Sequence, residues 1–303
     1  MTMKQLIPLL FFTITLLQLH AHCTSPAEPQ DSVAPKPYNM PYNLEEPDKT
    51  YKLPGRLEEI SGIALSLHGN QLLAIQDEDG IIFAIDKESE EVVREIDFWK
   101  DGDYEDIEVV DETVYVVKST GTLYEVLNFA TDEQEVNKYN DYLTGDHDVE
   151  GLCYDEKHHR LLLTCKGQSE DQEGKRYKAV YAFNLVTKKL EERPAFLVSE
   201  ASVKAFLDTS PLLEKWDKIV KFFDPNESVF GLSPSAIASH PLTEEYYILS
   251  SVGKMLVITD RSGNIKHIQK LDKDVHRQPE GICFEPDGTM YISNEGKGGS
   301  GKI

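Results

Sequence analysis

Basic residues, cysteine and long apolar runs are all scarce in this chain. Of its 303 residues 31 are Lys or Arg against 53 Asp or Glu, a net charge of −22. Phosphate backbones would be repelled, which excludes nucleic acid as a partner. The four cysteines show no CxxC or Cys/His spacing, so a zinc centre is excluded as well. No Ser-His-Asp order, GxSxG elbow or phosphate-cradling glycine loop occurs, which removes the commonest serine hydrolases and nucleotide binders. The apolar run Leu6–Leu19 is too short for a membrane span, and after Lys4 it reads as the core of an export signal over residues 1–22.

Two processing outcomes stay open. Cleavage after Ala21 gives a soluble exported protein. Modification of Cys23 gives a membrane-anchored lipoprotein of the bacterial envelope, although His22 stands where a small residue is usual. Residues 23–47 have the Pro, Ser, Asn and acid content of a flexible tether, leaving 48–303 for the folded domain.

What the chain does have is a repeat. Glu59-Ile-Ser-Gly-Ile-Ala64, Asp103-Tyr-Glu-Asp-Ile-Glu108, Asp148-Val-Glu-Gly-Leu-Cys153, Ser233-Pro-Ser-Ala-Ile-Ala238 and Gln278-Pro-Glu-Gly-Ile-Cys283 are variants of one segment. Their third residues, Ser61, Glu105, Glu150, Ser235 and Glu280, are spaced by 44, 45, 85 and 45. Each segment opens a unit of short β-rich runs separated by turns such as His68-Gly-Asn70 and Pro286-Asp-Gly288. Runs apolar on both faces suit sheets packed between sheets, and a period near 44 is that of β-propeller blades. An all-β propeller of five blades is expected, or six if part of 186–232 forms strands of its own. The doubled interval carries apolar residues at helical spacing, which predicts a helical insertion over about 200–223. Thr50–Leu53 is placed to complete the last unit and close the ring. Cys153 and Cys165 are either buried thiols or a cross-strand disulfide.

In a propeller the first strand of each blade lines the central tunnel and the second returns antiparallel. The start of one and the end of the other share a mouth. That geometry gathers Glu59, Asp103 and Asp148 with Glu105, Glu150, Ser235 and Glu280. It also brings in Asp77, Glu78, Lys118, Lys166, Ser250, Asn294 and Glu295 from the second strands. Carboxylate, amide and hydroxyl oxygens around a narrow opening suit Ca²⁺, which takes six to eight oxygen ligands. The expected metal ligands are Glu59, Asp77, Glu78, Asp103, Glu105, Asp148, Glu150, Glu280, Asn294 and Glu295. Lys118, Lys166, Ser235 and Ser250 are the candidates for holding a small anionic ligand.

These segments, with His240-Pro241 and Asn294-Glu-Gly296, resemble the SdiA-regulated family of exported bacterial β-propellers over roughly 48–297. Asp106, where a glycine is usual, and Ala236, after Ser235, depart from the pattern. The resemblance implies an envelope protein whose relatives have been linked to calcium homeostasis and compared with propeller phytases. The leading expectation is a non-catalytic calcium-binding or sensing module. The alternatives are a calcium-dependent phosphoesterase or lactonase and a metal-free interaction scaffold.

Overall fold

Strands begin where the repeated segments begin. In the first unit β1 (Ile60–Leu65), β2 (Gln71–Gln76), β3 (Ile81–Asp86) and β4 (Val92–Asp97) form one antiparallel sheet in chain order. The second unit repeats this with β5 (Tyr104–Val110), β6 (Thr113–Lys118), β7 (Leu123–Leu127) and β8 (Glu135–Tyr139). These assignments come from a computed structural model that describes residues 38–170, 172–209 and 231–303.

The third sheet is larger. It contains β9 (Val149–Asp155), β10 (Arg160–Cys165), β11 (Ser169–Glu170) and the long β12 (Arg176–Asn184), with β13 (Lys189–Leu190) and β14 (Phe196–Ser199) also paired to β12. A helix, α1 (Glu200–Thr209), follows and packs near β12 and β14. The expected insertion over 200–223 is thus helical in its described part, and its remainder lies outside the described residues. The fourth sheet runs β15 (Ser233–Ser239), β16 (Tyr246–Val252), β17 (Met255–Thr259) and β18 (Ile265–Lys270). The fifth unit forms only the hairpin β19 (Pro279–Phe284) and β20 (Met290–Asn294).

The propeller class therefore stands, with a correction to the expected five blades. Four sheets carry four or more strands, and the fifth recurrence is a two-stranded hairpin. No sixth sheet occurs among the described residues, because the short strands inside 186–232 join the third sheet. Closure is also more elaborate than expected. Lys302 bridges both Asn294 and Lys52, so the C-terminal segment lies between β20 and residues 51–53. Tyr51 and Ile303 exchange backbone hydrogen bonds of 2.7 and 3.1 Å, and Leu53 N–H donates to Gly301 O at 2.9 Å.

The first strands follow one another in a closed cycle: β1 lies beside β5, β5 beside β9, β9 beside β15, β15 beside β19 and β19 beside β1. They approach too closely for side chains at one column. A Cβ on Gly62 would sit 2.6 Å from Asp106 Cα, and one on Gly281 would sit 2.8 Å from Ser61 O. Asp106, the departure from glycine, uses its carboxylate across this seam. It accepts Leu152 N–H at 2.7 Å and Ile107 N–H at 2.9 Å. Strand periodicity then feeds alternate residues to opposite apolar layers. Ile82 and Ala84 pack toward Tyr104 and Tyr124, whereas Phe83 and Ile85 pack toward Tyr51, Leu53 and Cys283.

Of the tether expected over 23–47, residues 38–44 are docked. Tyr38, Met40, Tyr42 and Leu44 pack against the apolar layer between the fourth and fifth sheets. Tyr42 Oη donates to Gly288 O at 2.7 Å and meets His240 Nε2 at 2.7 Å. The signal segment, Cys23 and the tether before residue 38 lie outside the described residues. Cys153, Cys165 and Cys283 are buried free thiols. Cys153 pairs with Leu162 and Cys165 with Val149, so the two do not face each other across the hairpin and form no disulfide.

Candidate functional site

A cavity of about 240 Å³ opens where the first strands begin. All five third-column residues line it: Ser61, Glu105, Glu150, Ser235 and Glu280. Each comes from a different first strand. Glu59, Asp103 and Gln278 join from the residues just before those strands, and Asp77, Lys166 and Glu295 from the ends of the second ones. Seven carboxylates and one ammonium thus share one opening.

The remaining expected residues do not line it. Glu78 is exposed, and Asp148 stands at the margin with Oδ2 3.8 Å from Lys166 Nζ. Lys118 lies 5.3 Å from the Tyr104 ring, a cation–π distance, rather than in the opening. Ser250 is fully buried and ties the backbone: its Oγ donates to Val252 O at 2.7 Å and accepts Ser233 N–H at 3.0 Å. Asn294 is buried with Oδ1 unpartnered, outside the lining.

Charge crowding shows in the proton affinities. Burial, then the neighbouring Glu150 and Asp103, push the Glu105 carboxyl well above the usual range. Burial also raises Glu150, opposed by Lys166, whose Nζ donates to Glu150 Oε1 at 2.6 Å. Glu280 is pushed up to about 8 by burial and then by Glu150. Asp77 rises to about 6 through burial and the nearby Glu59, and its Oδ1 is buried without a partner. Burial disfavours a charge on Lys166, but Glu150 and Asp148 outweigh it and raise the ammonium's pKa. Asp103 accepts a hydrogen bond from Ser119 Oγ, and Ser235 Oγ donates to Pro279 O at 2.7 Å, joining the fourth and fifth units.

Sequence reasoning missed Lys178. Only 3% exposed, it donates from Nζ to Lys166 O at 2.6 Å and so helps set the backbone that carries Lys166. A lone lysine inside the apolar run Tyr177–Tyr181 was the available signal.

As a metal site the mouth passes one test and not another. Its donors are hard oxygens, which suit calcium. Among the described residues, however, no three Asp, Glu, His or Cys side chains stand close enough together to hold a metal ion. Also among them, no helix is long and apolar enough to cross a membrane.

No curated protein matches the chain. Among solved structures it is similar to a structural-genomics protein of unknown function from Bacteroides thetaiotaomicron, at 14% identity and a TM-score of 0.48. That alignment covers 82% of this chain and 56% of the other, so the chain spans little more than half of that protein's length. A mitotic checkpoint complex structure is similar at 10% identity and a TM-score of 0.46, covering 92% of this chain and 96% of the other. Residues 42–169 match the family model described as SdiA-regulated, the same family that the repeated segments resemble.

Proposed function

We propose that this protein is a five-unit propeller whose acidic mouth captures a divalent cation, calcium by donor type, as a binding or sensing module of the bacterial envelope. The observation that supports the cation is the set Glu105, Glu150 and Glu280, one from each of three first strands, with Lys166 as the one counter-charge in the cavity among the described residues. Like charges at one opening hold protons that a bound cation would displace. Because the carboxylates do not converge as they stand, the cation would be held partly through water or after side-chain rotation. Envelope location rests on the export-type residues 1–22 and on Cys23 as a lipid-anchor site. Titration calorimetry with Ca²⁺ tests the cation reading: a saturable heat is expected for the native chain, and its loss in the Glu150→Gln, Glu280→Gln double variant. A native chain that gives no saturable heat overturns it.

A further inference from the structure

The first strands end at a second cavity, of about 430 Å³, at the opposite end of the inner-strand ring from the acidic mouth. Apolar side chains form part of its wall, Ile63 and Leu65 from β1, Ile107 from β5, Leu152 from β9, and Ile282 and Phe284 from β19, and polar and charged groups form the rest. The volume lies within the range of small-molecule pockets, which pair apolar walls with a few placed polar groups. Here the placed group is Glu108. The equivalent positions of the other units hold Ala64, Cys153, Ala238 and Cys283, so a column of small residues is broken by one carboxylate. Its two oxygens accept Val109 N–H at 2.9 Å and Tyr154 N–H at 2.8 Å, fixing the group in the wall with lone pairs to spare.

The net charge around this bowl is negative. Asp111, Glu156 and Glu244 are exposed at its edge. Among the described residues Arg261 is the one Lys or Arg in the lining, and it is already engaged. Its Nη1 donates to the buried Asp155 at 2.6 Å and its Nε to Glu244 at 3.3 Å. His240 supplies no charge either. Its Nε2 meets Tyr42 Oη, its Nδ1 accepts the N–H groups of Leu242 and Thr243, and burial lowers its proton affinity.

We propose that this bowl is a binding site for a small organic amine carried on an apolar body, with the ammonium on Glu108 and the body against the isoleucine and leucine walls. An anion of the same shape would face Glu108, Asp111 and Glu156, with Arg261 already paired to Asp155 and Glu244, so the site selects by charge as well as by size. The inference does not depend on the acidic mouth.

Isothermal titration with 4-phenylbutylamine, 4-phenylbutanoate and methylamine on the full chain tests it. Burial lifts Glu108 to about 7, so the titration is run at a pH well above that value. The phenylbutylamine is expected to bind at least about tenfold more tightly than the phenylbutanoate, and methylamine not at all. Glu108→Gln should remove the preference for the amine. Should that variant unfold on a thermal melt, the exposed pair Asp111→Asn, Glu156→Gln serves instead and should weaken the amine while leaving the phenylbutanoate no weaker. Equal binding of amine and carboxylate, or no binding of either, overturns the proposal.

Discussion

Burial and the adjacent Glu150 lift the Glu280 carboxyl from its usual 4.5 to about 8. Between those values the folded chain holds a proton that the unfolded chain has already released. Stability from this group is therefore complete below 4.5 and is lost as the pH rises through about 8. Asp77 acts in the same direction, over 3.8 to about 6. The melting temperature of the metal-free protein should fall across this window, and Glu280→Gln should flatten the upper part of the fall. A contribution of the order of 1–2 kcal/mol is expected after solvent screening. A melting temperature that rises from pH 5 to 8, or an unchanged slope in the variant, would contradict the assignment of a protonated Glu280. Lys166 has the opposite character, since Glu150 and Asp148 favour its charged form over the burial that opposes it.

Among the elements, the docked segment 38–44 is the one composition did not reveal. Its Pro- and Asn-containing surroundings read as tether, yet Tyr38, Met40, Tyr42 and Leu44 alternate toward one apolar layer. That alternation is the signal. It was hidden because a strap without ladder partners lacks the turn-bounded pattern of a strand. Tyr38 stacks on His267 with ring centroids 4.9 Å apart, and Leu44 O meets His276 Nε2 at 3.0 Å. Tyr42→Phe removes the hydroxyl contacts to Gly288 and His240 at once, a loss of about 1–2 kcal/mol. Amide exchange in 38–44 should accelerate in that variant while the rest of the fourth sheet keeps its protection. Uniform acceleration across that sheet would mean that the strap is part of the sheet's own stability.

On the scale of the whole molecule, the repeat was legible because four of the five units, all but the one with Asp106, restate Gly or Ala where first strands nearly touch. Gly62, Gly151 and Gly281 have no space for a Cβ, and a sequence records such a constraint directly. The mouth was legible for the same reason. The third column points into one opening because all five strands start at one end. Residues at the second-strand ends were harder, since each β1–β2-type pairing carries a bulge that shifts its register. Such shifts accompany the placing of Lys166 and Asp77 in the cavity and Lys118 and Ser250 outside it. The short fifth unit and its completion by Thr50–Leu53 were legible, but the place of the C-terminal segment between them was not, since Lys302 bridges both Asn294 and Lys52. A side chain at Gly301 would collide with the carbonyl of Leu57. Gly301→Val should therefore lower the melting temperature by several degrees and expose 51–53 to exchange, and native values for both would place closure elsewhere.

Calcium titration of the full chain in two buffers of different ionisation enthalpy tests the central claim most directly. The account predicts one saturable binding event accompanied by proton release, because Glu105, raised to about 9, and Glu280, raised to about 8, hold protons before the cation enters. Both the heat and the proton release should disappear in the Glu150→Gln, Glu280→Gln variant while its fold is retained. Absence of saturable heat in the native chain, or binding that persists unchanged in the variant, would contradict it.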